Sequence, residues 1–289
     1  MDTPLLKTFP NTYAIDELLA TKQTTTVSVC LPARNEGATL SPILATLTNL
    51  SQLGLIDEVI VVNDRSSDDT VAVARAAGVT VVNSESLLEA PGGKGDAMWC
   101  GLQKSQGDIV CWCDADVTNF GPHFISQLLG PLFNDPLIEF TKGYFERPIA
   151  GQADQGGRTT ALMALPILSR FFSHLTQFQQ PLGGEYAGRR SLLERMPFVS
   201  GYGVDIALLI DICNDIGIER MAQVDLGSRQ HRNRSLDELA PQAMQVLEAV
   251  LQRAGISPSR DIATLYVPGR AQNVVVGQRP PVAGLQLAR

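Results

Sequence analysis

The 289-residue chain contains no run of about 18–20 consecutive apolar residues, so no membrane-spanning helix is expected. It has no surplus of positive charge. Its 23 Lys and Arg against 30 Asp and Glu leave a formal charge of −7, which gives no general attraction to nucleic acid or to anionic membranes. The opening MDTPLLKTFPNTYAIDELL lacks a basic stretch followed by an apolar one, so an unprocessed cytoplasmic start is expected. Histidine is rare, at three, and no group of Cys and His has zinc-site spacing. The five cysteines are odd in number. Cys111 and Cys113 share one face of an apolar stretch and read as small core residues in a reducing compartment. Neither a G-x-G-x-x-G dinucleotide turn nor a G-x-x-x-x-G-K-[ST] phosphate loop occurs, and no internal repeat is visible.

The length suits one large α/β domain, or one domain with a smaller appendage, and at 44% hydrophobic residues the chain can bury a substantial core. Apolar strands are expected at 26–33, 57–64, 79–83 and 108–116, separated by helices near 38–50, 67–77 and, after the Gly-rich turn 91–95, to about 104. Such alternation implies a parallel sheet covered on both faces, with ligands bound beyond the carboxyl ends of its strands. The second half predicts helices over 158–175, 203–216 and 236–254 and a strand over 221–227. The last helix carries a capping box, Ser235 with Glu238 three residues on. The expected division is an N-terminal extension (1–25), a regular strand–helix half (26–145), a less regular half (146–266) and a tail rich in Pro, Gly and Gln, expected to pack loosely (267–289).

Several polar stretches fall at the expected strand ends. LPARNEG closes the first strand and offers Asn35 and Glu36. NDRSSDDT closes the second, and Asp64 could accept hydrogen bonds from a ribose or base; Ser66 or Ser67 would cap the next helix. PGGKG sets Lys94 between glycines before a helix, where a backbone can approach a phosphate. DIVCWCDADVT ends the fourth strand with two aspartates. If the strand runs through them, Asp114 and Asp116 share a face and repel, and a hard divalent cation would relieve that cost. A D-x-D arises by chance about once in a chain this long, so its place matters more than its presence. GGRTTAL has glycines, an arginine and hydroxyls at a helix start, a ready anion site. PLGGEYAGRR and GYGVD present Glu185 and Asp205, each of which could equally be a helix cap, and SRQHRNR holds His231 in a basic loop.

Taken in order, these motifs resemble glycosyltransferase family 81, the glucosyl-3-phosphoglycerate synthases, from about Val27 to Leu251. That resemblance implies a GT-A fold and a Mg²⁺- or Mn²⁺-dependent retaining transfer of glucose from UDP-glucose to D-3-phosphoglycerate. It implies that Pro32, Ala33, Arg34, Glu36, Asp64, Lys94, Asp114 and Ala115 line the nucleotide-sugar pocket. Asp116 and His231 would hold the metal, and Gly157, Arg158, Thr160, Glu185, Arg232 and Asn233 the acceptor. Tyr202 and Asp205 would approach the reacting sugar; the family form has Glu where this chain has Asp205, one methylene shorter. A cytoplasmic homodimer is expected, with no nucleic-acid or membrane partner. Front-face attack with the leaving UDP taking the proton and double displacement through a carboxylate both stay open. So do mannosyl transfer from GDP-mannose, nucleotidyl transfer to a sugar phosphate, and nucleotide binding without turnover.

Overall fold

The computed structural model describes residues 5–10, 12–90, 93–147, 157–230 and 235–285. The first half runs β1 (Lys7–Phe9), α1 (Ile15–Lys22), β2 (Val27–Ala33), α2 (Gly37–Gln52), β3 (Glu58–Asn63), α3 (Thr70–Ala76), β4 (Thr80–Asn83), α4 (Lys94–Lys104) and β5 (Ile109–Trp112). Next come α5 (Pro122–Asn134), β6 (Phe140–Glu146), α6 (Leu165–Phe171), β7 (Tyr186–Arg189), α7 (Arg190–Leu193), β8 (Phe198–Val199) and α8 (Val204–Ile216). The chain continues through β9 (Met221–Ser228), α9 (Leu236–Arg253), β10 (Ile262–Val267), β11 (Arg270–Val275) and β12 (Gln278–Arg279).

Eight strands form the central sheet in the order β1-β9-β6-β7-β5-β2-β3-β4. All its pairings are parallel except those of β7, which runs antiparallel to β5 and to β6. The sheet is therefore mixed rather than wholly parallel, and β7 brings the second half of the chain back beside the first. The apolar runs of β2, β3 and β5 are explained by burial on both faces. Val29, Leu31, Val61 and Cys111 face one core, with α2 and α5. Cys30, Val62, Val110 and Trp112 face the other, with α4, α8 and α9. All five cysteines are buried and free.

Four expectations change. First, β5 ends at Trp112, so Asp114 and Asp116 stand in the turn beyond it and not on one face of a strand. Second, neither Ser66 nor Ser67 caps α3. The Asn35 N–H donates to Ser66 Oγ and the Ser67 N–H to Asn35 Oδ1, so the two strand-end turns are stitched to each other. Third, the stretch before α6 opens with a π-helical turn, Thr160–Ala164. Fourth, the C-terminal segment is packed. β10 and β11 form a hairpin, β12 pairs with β8, and the indole N–H of Trp99 donates to the Pro280 carbonyl. The expected boundaries at 145/146 and 266/267 fall inside β6 and β10. β1 joins the main sheet through β9. The capping box at Ser235 and Glu238 forms as expected. Among the described residues no helix is long and apolar enough to cross a membrane.

Candidate active site

A cavity of about 970 Å³ opens at the carboxyl ends of β2, β3 and β5. Pro32, Ala33, Arg34 and Glu36 line it from the end of β2, and Asp64 from the end of β3. Lys94, the first residue of α4, and Asp114, Ala115 and Asp116 beyond β5 complete this wall. Every expected nucleotide-pocket residue is thus on one surface. Tyr202, Gln230, Glu238 and Gln242 face them from the second half.

Local geometry explains how short turns hold this wall. Asn35 and Arg65 adopt left-handed backbone, at φ 58° and 55°. Such conformations are uncommon outside glycine and gather at functional turns. The Thr39 hydroxyl lies 2.7 Å from the Ala115 carbonyl, tying α2 to the aspartate turn. Asp64 is buried on one side, where it accepts from the Ser84 hydroxyl at 3.1 Å, while Arg34 Nη1 stands 3.7 Å from its other oxygen.

A guanidinium lies between the two aspartates. Arg229, just past β9, donates from Nη2 to Asp114 Oδ2 at 2.8 Å and to Asp116 Oδ1 at 2.9 Å. Its Nη1 donates to Glu185 at 3.2 Å. The Arg229 side chain is 3% exposed and that of Glu185 is 0%. Burial alone would pull the Arg229 charge down, but Glu185, Asp114 and Asp116 outweigh it and its pKa is raised. The two aspartates thus share one cationic partner, and in this structure it is an arginine.

Lys94 supplies the second cation. Its Nζ lies 2.8 Å from Asp114 Oδ1 and 3.0 Å from Asp205 Oδ2. Burial pushes the Asp114 carboxyl up, but Lys94 and Arg229 outweigh it and hold the group well below the usual carboxylate range. Gly184 packs so closely on this pair that a Cβ there would overlap both Asp114 and Lys94. Behind Gly184, the fully buried Lys142 donates to the Gly183 carbonyl at 2.6 Å and sits 4.5 Å from the Tyr186 ring centroid. Burial pushes the Lys142 ammonium down to about 8.

Not every expected residue reaches the cavity. Asp205, in the first turn of α8, is 4% exposed and lies behind Lys94, where Tyr186 Oη donates to it at 3.2 Å. Burial raises its pKa despite Lys94 and Lys142. It supports Lys94 instead of lining the cavity, because it starts from a buried helix turn. Glu185 likewise faces inward and balances Arg229; burial raises its pKa. Gly157, Arg158 and Thr160 form a separate helix start that does not line the cavity. His231, Arg232 and Asn233 lie outside the described residues, although Gln230 beside them lines the cavity. Arg229, Lys142 and Gln242 belong to the site or its support and were not expected. Arg229 had a signal, since it opens the basic cluster that follows the expected strand at 221–227.

Among the described residues no group of three or more His, Cys, Asp and Glu forms a metal cage. The donor set nevertheless suits a hard divalent cation. Asp114 and Asp116 present carboxylate oxygens side by side, and they already accommodate a cationic group. The arrangement can bind a nucleoside diphosphate. Asp64 stands where hydroxyls could be read, Lys94 stands among carboxylates, and the aspartate pair could share a cation with the diphosphate.

Comparison with known proteins gives the same direction. The family model of glycosyl transferase family 2 matches residues 28–196. The glucosyl-3-phosphoglycerate synthase of Mycolicibacterium smegmatis is 41% identical over 287 residues, covering 95% of this chain and 94% of that protein. The synthase of Mycobacterium tuberculosis H37Rv is 43% identical over 267 residues, covering 89% and 82%. The crystal structure of the M. tuberculosis enzyme in complex with Mn²⁺, UDP-glucose and phosphoglyceric acid superposes with a TM-score of 0.87 at 40% identity, covering 96% of this chain and 98% of that one. Another, with Mg²⁺ and UDP, has a TM-score of 0.86 at 41% identity, covering 97% and 99%. The chain belongs to the glucosyl-3-phosphoglycerate synthase family, built on a glycosyl transferase family 2 domain.

Proposed function

We propose that this protein transfers glucose from UDP-glucose to D-3-phosphoglycerate, with retention at the anomeric carbon and with Mg²⁺ or Mn²⁺ as cofactor. The observation that carries the proposal is the cavity itself. One surface gathers the first strand-end turn, Asp64, Lys94 and the Asp114–Asp116 pair, and Tyr202 and Gln242 face it across an open space. Asp116 and His231 would hold the metal, with Asp114 toward the ribose. A divalent cation bound there neutralises charge that develops on the leaving diphosphate. Lys94 keeps the cleft side of Asp114 ionised and adds positive charge near the same phosphates. Asp205 and Glu185 act behind the surface, holding Lys94 and Arg229 in place. Gly157, Arg158 and Thr160, with Arg232 and Asn233, would bind the acceptor; a helix start beside an arginine suits a phosphate better than a neutral sugar.

The cytoplasm and a homodimer belong to the same proposal. Five buried free thiols suit a reducing compartment. Exposed Ile262, Tyr266 and Val275 share a face of the β10–β11 hairpin and offer apolar surface to a second copy. The function is tested with a panel of UDP-, GDP- and ADP-sugars against 3-phosphoglycerate and glycerate. Glucose transfer from UDP-glucose to 3-phosphoglycerate, lost in EDTA and restored by Mg²⁺ or Mn²⁺, is expected. Pyrophosphate release from UTP and a sugar phosphate would support nucleotidyl transfer instead.

A further inference from the structure

The turn that presents Tyr202 is enclosed by the C-terminal segment. Strand β12 pairs with β8, immediately before the turn, and the Ser200 N–H donates to the Gly277 carbonyl at 2.8 Å. One side chain spans both parts. Gln245, on α9, accepts from the Tyr202 N–H through Oε1 at 2.9 Å and donates from Nε2 to the Val275 carbonyl at 2.9 Å. A primary amide can accept at one end and donate at the other, and flipping it here would break both bonds. The packing leaves little slack. A Cβ on Gly201 would overlap the Gln245 amide, and one on Gly203 would stand 2.7 Å from the Gln245 carbonyl. Glu238, Gln242 and Gln245 are spaced i, i+4, i+7, so one face of α9 runs along the cavity and ends at this joint. The preceding residue, Met244, packs on Ala263, Val274 and Val276 and anchors the hairpin to the same helix.

We propose that Gln245 is a positioning residue: it holds the Tyr202 backbone against the C-terminal hairpin and so sets where Tyr202 stands in the cavity. The proposal deepens the glucosyl-transfer reading and rests on it only where activity is measured.

Two measurements test it. The first is amide hydrogen exchange at Tyr202, which needs no turnover. In Gln245→Met the side chain keeps its length but loses both bonds, and Tyr202 exchange should accelerate about tenfold or more. In Gln245→Glu the acceptor for the Tyr202 N–H remains while the donor to Val275 is lost, so Tyr202 exchange should accelerate less than in Gln245→Met. Unchanged Tyr202 exchange in Gln245→Met, or equal loss in both variants, would overturn the proposal. The second is a double-mutant cycle. Gln245→Met should lower kcat about tenfold with the UDP-glucose Kd within about twofold, and should cost less than about twofold when Tyr202→Ala is already present. An equal cost in both backgrounds would mean that Gln245 does not act through Tyr202. A parent protein that forms no glucosyl product would defeat the functional reading alone, and the exchange experiment would still decide the role of Gln245.

Discussion

On the cavity wall built by residues 32–116, each polar group stands at the end of its own strand or helix and opens to the cleft. On the opposite side, Lys142, Glu185, Asp205 and Arg229 are buried behind the surface, with Glu185 paired to Arg229. Lys94, Asp114 and Asp116 are the seam. They are on the first wall by sequence and are held by Asp205 and Arg229 from the second. The difference teaches a division of labour. The first half supplies the groups that open to the cleft; the second holds three of them in position, Asp205 on Lys94 and Arg229 on Asp114 and Asp116. Such preorganised charge is worth more than the same charge in water, because nothing has to reorient when the leaving group develops its own.

Breaking the front wall should affect rate most. Asp116→Ala is expected to lower kcat at least about a thousandfold, roughly 4 kcal/mol or more of transition-state stabilisation, with the fold intact by circular dichroism. Retention of full activity by that variant in metal-free buffer would contradict the assignment.

Breaking the rear wall should affect stability first. Arg229→Met leaves Glu185 buried without its partner and Asp114 with one cation instead of two. The expected loss is about 3 kcal/mol or more, read by urea denaturation. Arg229→Met with Glu185→Leu should regain part of it, since the stranded carboxylate is gone. An equal loss in the single and double variants would show that the charge balance is not what Arg229 supplies.

A third experiment separates the walls by pH. Burial holds the Lys142 pKa near about 8 in the folded protein, against 10.5 for the free side chain. Between these values the unfolded chain binds more protons at this site, so stability should rise with pH across that window. The penalty is fully present below about pH 8 and is relieved toward pH 10.5. Asp205, Lys94, Glu185 and Asp114 face the group and act on it in opposing directions. The stability of the parent relative to Lys142→Met should therefore increase by on the order of 2–3 kcal/mol between pH 7.5 and 10.5. A flat difference would place no buried charge at Lys142.

The smallest effect is expected at the separate helix start. Arg158→Ala should raise the 3-phosphoglycerate KM about tenfold or more and leave the UDP-glucose Kd within about twofold. Equal weakening of both ligands would remove the acceptor role from this turn.

These contrasts also explain what the sequence could and could not reveal. The front wall is local. PARNE, NDRSS and DAD each follow an apolar run, and the rule that parallel-sheet ligands bind at strand ends brings them together, while GKG announces itself only as a Gly-rich turn opening a helix. The rear wall is not local. Arg229 meets Glu185 and Asp114 across long stretches of chain, and Gln245 meets Tyr202 across a helix and a strand. No periodicity announces such pairs. Lys142 sits within the apolar pattern of β6, where only the full packing reveals a buried ammonium. Pro, Gly and Gln in the tail suggest looseness, whereas β12 and Arg279 are tied to β8 and to the buried Asp96. The DAD turn differs from the expectation in place: the carboxylates stand beyond the strand and gather around an arginine.

The central claim is that the cleft chooses UDP-glucose and delivers its sugar to 3-phosphoglycerate. One reaction tests it directly: equal amounts of UDP-glucose and GDP-mannose, limiting D-3-phosphoglycerate and Mn²⁺, with products identified by mass spectrometry and by the anomeric proton coupling. Both hexosyl products have the same mass, so isotopically labelled glucose in the donor distinguishes them. A predominance of labelled α-glucosyl-3-phosphoglycerate is the predicted result. A predominance of the unlabelled mannosyl product, or an inverted anomeric configuration, would contradict the account.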